Sequence, residues 1–117
     1  MLTRDRILGA PDLKAEEVFV PEWSDSVLVR GMTGAERDRF ESSFLGKDGK
    51  LAPGSMQNLR ALMARMCCVD EQGKHIFTDA DVVELGKKSA SALQRIFEVA
   101  QRLSGLSSRA IEELTKN

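Results

Sequence analysis

The sequence predicts a mainly α-helical domain with a small N-terminal β-hairpin, packed as one bundle of about four to five helices. Two observations carry this reading. Near the N-terminus, "EVFV" and "SVLVR" are rich in β-branched and aromatic residues and flank the turn-forming "PEWSD". Beyond them, apolar residues recur at the three- and four-residue spacing of helices with one face in a core. With 117 residues and 42% apolar content, one core is enough for the whole chain.

Charge and cysteine use narrow the function classes. The 17 Lys and Arg are offset by 18 Asp and Glu, with no long like-charged block, so the basic footprint of a nucleic-acid or anionic-membrane binder is missing. A protein partner fits better. No apolar run suits a signal peptide or a membrane span, and the chain reads as soluble and intracellular. Cys67 and Cys68 are adjacent, where strain disfavours a disulfide, and read as small packing residues. The lone His75, in "EQGKHIF", has no nucleophile motif beside it and reads as solvated or bonded to backbone. No zinc-ligand spacing is present, and Asp70, Gly73, Asp79 and Asp81 do not form a calcium loop. No catalytic, cofactor-binding or metal-ligating residue is assigned, and the chain is expected not to be an enzyme.

Residues 1–16 read as an extended or mobile lead, because Gly9, Ala10 and Pro11 interrupt any helix. Residues 17–117 form the domain, opening with the hairpin at 17–30. Two strands alone are marginally stable, so the hairpin must pack on helices or pair with another chain. Its edges hold few charges and no internal proline, which leaves them open to another strand. Trp23 in the turn either anchors the hairpin to the core or presents an exposed partner contact.

"TGAE" then predicts a capping box between Thr33 and Glu36, opening a helix to about Leu45 with Phe40 and Phe44 as its apolar ridge. Residues 46–54 are glycine-rich and read as a flexible loop. A second helix is expected from Ser55 to about Val69, with Met56, Leu59, Leu62, Met63, Met66 and Val69 on one arc. Across from that arc, Ala61, Ala64 and Cys68 allow close approach of another helix. Thr78 with Asp81 opens a short helix through Val82, Val83 and Leu85, which Gly86 closes. Ser89 or Ser91 opens the third long helix, with Leu93, Ile96, Phe97, Ala100 and Leu103 on one face, and Gly105 ends it. A final short helix carries Ile111 and Leu114, a patch so small that its docking is reversible or completed by another chain. Leu59, Met63, Met66, Leu93, Ile96, Phe97 and Leu103 are expected to be buried.

The order of "VFVPEW", "VLVRGMTGAERDRFE" and "CCVDEQGKHIFTDADVVELGKKSASALQRIFEVAQRLSGLS" resembles the tail assembly chaperones of long-tailed bacteriophages, over roughly residues 17–108. The features that carry it are the "PEW" turn, "VRGMTGAERD", the "VDEQGKHIFTD" turn with Ile76 and Phe77, "ELGKKS" and "LSGLS". The resemblance implies a non-enzymatic role. Such a chaperone binds the tape measure protein, keeps it soluble and helps recruit tail tube subunits in the host bacterial cytoplasm, then leaves the finished tail, so it is not expected in the mature virion. The resemblance also implies a longer product made by programmed frameshifting. The partners expected are the tape measure protein and the tail tube protein, with self-association left open, and neither nucleic acid nor membrane. The residues assigned to partner binding are Trp23, Val27, Val29, Met63, Ile111 and Leu114. The alternative is a small helical adaptor or regulatory domain that grips one helix between the methionine-bearing helix and the third long helix.

Overall fold

The computed structural model describes residues 1–51, 54 and 57–115, with backbone alone at 108, 114 and 115. Along the chain run α1 (Arg4–Leu8), β1 (Ala15–Val20), a 3₁₀ turn (Pro21–Trp23), β2 (Asp25–Arg30), α2 (Gly34–Ser42), α3 (Leu59–Cys67) and β3 (Cys68–Val69). A second 3₁₀ turn (Asp79–Asp81), α4 (Val82–Leu85), α5 (Ala90–Leu103) and α6 (Ser108–Thr115) complete it.

The hairpin forms, but the expected helical bundle does not describe the fold. β1 pairs antiparallel with β2 in the register Ala15↔Arg30 to Val20↔Asp25, and β3 then pairs with β2 through Leu28↔Val69 and Val29↔Cys68. The result is a three-stranded antiparallel sheet in the order β1-β2-β3, against which the helices pack. The third strand arises because α3 ends directly into extended backbone at Cys68 (φ −78°, ψ 125°). The chain then turns back sharply. The Asp70 carboxylate accepts from the amides of Gln72 and Lys74, both at 2.9 Å, Gly73 adopts φ +82°, and His75 returns to bridge Val69.

The first 16 residues are not uniformly extended: α1 is one capped turn, with the Thr3 side chain accepting from the Arg6 amide, and β1 already starts at Ala15. The box at Thr33 and Glu36 forms as expected, but α2 stops at Ser42. In the loop expected over 46–54, Leu45 and Leu51 bridge around a tight turn, while Ala52 and Pro53 lie outside the described residues. The expected helix start at Ser55 and the arc position Met56 also lie outside them, and α3 itself begins at Leu59.

The core sits between the inner face of the sheet, α3 and α5. Val20 and Val29 from the sheet meet Met63, Met66, Ile96 and Phe97 from the helices, with Phe40 and Phe44 set edge to face at 5.1 Å on the α2 side. Of the seven residues expected to be buried, five are; Leu59 and Leu103 are half-buried. Ala61 and Ala64 are buried, as are Ala92 and Ala100 on α5, and α3 and α5 make the most extensive helix–helix contact. Small side chains on both helices permit that approach.

Gly31 joins the sheet to α5. A Cβ there would stand 2.5 Å from the Leu103 carbonyl oxygen and 2.9 Å from its carbon, both backbone atoms that cannot swing aside. Beside it, the Met32 amide donates to Ser104 Oγ at 2.9 Å. Gly31→Ala is therefore expected to lower stability by about 1–3 kcal/mol. Gly34→Ala, where a Cβ meets nothing within 4 Å, is expected to be neutral or slightly stabilising, and urea unfolding of the pair checks both.

Candidate partner-binding surface

Side chains alternate across a strand, so each strand divides its residues between two faces. On the inner face Val18, Val20, Val27 and Val29 join or pack against the core. On the outer face stand Glu17 and Phe19 from β1, opposite Leu28 and Ser26 of β2 in register. Phe19 is 60% exposed. Next to it a shallow concavity of about 600 Å³ opens on this face, floored by Leu28 and Val69 and walled by Ile76, which is 46% exposed. Three carboxylates, Glu17, Asp70 and Glu71, line it, and no lysine or arginine does. β1 is the edge of the sheet, and at the hairpin tip Trp23 is 37% exposed. The outer face thus combines an apolar floor, an acidic rim and an exposed strand edge.

The residues assigned from sequence divide. Trp23 lies at the exposed tip, held over α5 by its 3₁₀ turn and by the Glu22–Arg95 ion pair at 3.0 Å. Val27 is half-buried, and its side chain packs against the core from the inner face, opposite Val18, and not on the outer face where the concavity opens. Val29 and Met63 must be corrected: both are completely buried, so they offer no surface to a partner. Val29 faces inward because the register places it opposite Glu16, on the side of Val18 and Val20, and Met63 fills the core beneath. Ile111 is half-buried against the core, and the side chain of Leu114 lies outside the described residues. Phe19, Leu28 and Ile76, which stand on or beside the outer face, were not among the assigned residues. Strict alternation with Val18 and Val20 was the available signal for Phe19.

His75 is bonded to backbone as expected, with Nε2 at 3.1 Å from the Met66 carbonyl, but it also belongs to a polar cluster that the sequence did not reveal. Arg30, buried at the end of β2, donates from Nη1 to Glu36 Oε1 at 3.1 Å and from Nη2 to Oε2 at 3.2 Å. His75 Nε2 stands 2.6 Å from Glu36 Oε2 and 3.0 Å from Arg30 Nη2. Burial works to raise the Glu36 pKa, but hydrogen bonds from Arg30, the Thr33 amide and His75 outweigh it and hold the carboxyl below its ordinary value. Among the described residues no nucleophile completes the cluster. The nearby Cys67 thiol and its neighbour Cys68 are pushed up to about 12, chiefly by burial, and both stay protonated at neutral pH. Among the described residues no group of three or more His, Cys, Asp and Glu is placed to hold a metal, and no helix is long and apolar enough to cross a membrane.

No family model and no curated protein matches the sequence. Among solved structures, the bacteriophage HK97 tail assembly chaperone has a similar fold, with a TM-score of 0.61 and 16% identity, over 85% of this chain and 94% of that one. The likeness first drawn from sequence motifs is thus present in the fold.

Proposed function

We propose that this chain is a phage tail assembly chaperone: a non-enzymatic protein that binds the tape measure protein, keeps it soluble in the host cytoplasm and helps recruit tail tube subunits. The observation that carries the reading is the fold shared with the HK97 chaperone across nearly the full length of that protein. The molecule is suited to the task in two respects. Its outer sheet face leaves Phe19 and Ile76 in water, and its charges nearly cancel, so apolar contact rather than long-range attraction would hold a partner. The adaptor alternative placed a partner helix between α3 and α5, where Ala61, Ala64, Ala92 and Ala100 are buried and the helices close on each other.

Co-expression tests the reading. A tape measure fragment from the same genome, insoluble alone, is expected to become soluble with this chain and to co-elute with several copies of it. A fragment that stays insoluble overturns the chaperone role; a one-to-one complex favours the adaptor.

The hairpin tip is assigned to contact between copies or with a tube subunit. Trp23→Ala is then expected to weaken that association while costing the isolated chain only about 1–2 kcal/mol, well under the loss for a fully buried ring. Thermal unfolding beside a binding titration separates the two effects. A loss of several kcal/mol with unchanged association would return Trp23 to a purely structural role.

A further inference from the structure

We infer that the concavity on the outer sheet face receives an amphipathic helix of a partner protein, whose apolar face is bracketed by lysine or arginine side chains. Elsewhere on the fold four carboxylates are met by arginines from other elements: Glu16 by Arg102, Glu22 by Arg95, Glu36 by Arg30, and Asp79 by both Arg39 and Arg65. The concavity departs from that pattern. Of its three carboxylates, Asp70 is engaged by the amides of Gln72 and Lys74, while Glu17 and Glu71 are exposed and form no ion pair among the described residues. Lys74, in the same turn, does not line the concavity and pairs with neither. Phe19 and Ile76 stand in water beside a floor of Leu28 and Val69. The chain is near neutral as a whole, but here acidic and apolar surface coincide without a cation.

Strand register sets the shape of the occupant. Glu17, Leu28 and Val69 are direct cross-strand partners, so they form one row across β1, β2 and β3. Adjacent strands lie about 4.8 Å apart, which makes the row roughly 10 Å long. Glu17 stands at one end and Glu71 just past the other, where the chain turns after Val69, with apolar surface between them. A segment lying across the strands therefore complements the face when its cations are about 10 Å apart, on the side that holds its apolar residues. An extended segment covers that distance in about three residues, and residues three apart point to opposite faces. A helix covers it in about seven residues, and its positions i, i+3, i+4 and i+7 share one face. The helix has the matching period. The inference rests on the chaperone reading for the existence of a protein partner, and adds the chemistry of the segment that docks.

The probe is an alanine-based helical peptide of about 20 residues with lysine at i and i+7 and leucine at i+3 and i+4, titrated against the full chain by fluorescence anisotropy. Saturable binding is expected, weakened at least about fivefold by Glu17→Lys, by Glu71→Lys and by Ile76→Ser, with circular dichroism showing the variants folded. Asp38→Lys makes the same charge change on exposed α2 and is expected to leave binding unchanged. The peptide with glutamate in place of lysine is expected to bind the Glu17→Lys, Glu71→Lys double variant and not the native chain. Equal binding of a peptide of the same composition scrambled around the helix, equal loss in Asp38→Lys, or no saturable binding overturns the proposal. So does a Glu17→Gln, Glu71→Gln variant that self-associates on sedimentation yet keeps native affinity for the peptide, which would make the two carboxylates guards against edge pairing. A tape measure fragment solubilised equally by the native chain and by the double lysine variant leaves the chaperone reading standing and removes this one. A fragment that stays insoluble while the peptide binds does the reverse.

Discussion

Phe97→Ala is expected to lower the unfolding free energy by about 3–5 kcal/mol, a large part of the roughly 5–15 kcal/mol that holds a domain of this kind. Phe97 is 7% exposed on α5, in the same cluster as Ile96 and Met63, and the Arg60 guanidinium stands 5.7 Å from its ring centroid. Truncation removes the ring from the core and strands Arg60 without its aromatic face. The close contact of α3 with α5 through alanines leaves little freedom to collapse into the space, since backbone would have to move. Phe97→Leu keeps much of the apolar contact and is expected to lose less. Denaturant midpoints for the two variants are the measurement, and an unchanged transition for Phe97→Ala would overturn this packing of α5.

What the sequence disclosed and what it hid divide by distance along the chain. The capping box is legible because Thr33 and Glu36 are three residues apart, so residue types alone identify both bonds. The same holds for Phe40 and Phe44, one turn apart on α2 and its end. Both strands of the hairpin were legible for their β-branched runs, and the fold differs there in starting β1 at Ala15 and β2 at Asp25. β3 was not. It is two residues long and follows α3 without a turn, so Val69 fits the helical arc as well as it fits a strand. Missing that strand turned a sheet with helices on it into a bundle with a hairpin. It also hid the surface, because Val69 and the turn after it form one side of the outer concavity. Val29 and Met63 failed as contact residues for the related reason that a sequence shows which residues are apolar and not which of two apolar faces is covered.

The polar cluster shows the same limit most sharply, and it carries the other large expected effect. His75 reaches Glu36 across 39 positions and Arg30 across 45, a meeting that exists only because β3 and its turn fold residue 75 back along Val69. Glu36 does two tasks there. Its carboxylate caps α2 by accepting from the Thr33 amide at 2.8 Å, and it is the carboxylate partner of Arg30, whose Nε is buried with no partner among the described residues. Glu36→Gln keeps an acceptor for the cap but removes the charge, leaving a buried guanidinium that donates to the Gly31 carbonyl with no carboxylate beside it. The expected cost is about 3 kcal/mol, at the low end for a broken buried pair because the Glu36 side chain retains some contact with water. Glu36→Ala loses the cap as well and is expected to cost about 1 kcal/mol more. The pH dependence follows from the depressed carboxyl. Its ordinary value is 4.5, so the stabilisation is fully present above that pH and is lost as pH falls through the lower value of the folded state. The gap in urea midpoint between the native chain and Glu36→Gln is therefore expected to be wide at neutral pH and to narrow on acidification below about pH 4.5. A gap that stays constant down to strongly acidic pH would mean that Glu36 acts there only as a helix cap, and that Arg30 is held by its bond to the Gly31 carbonyl instead.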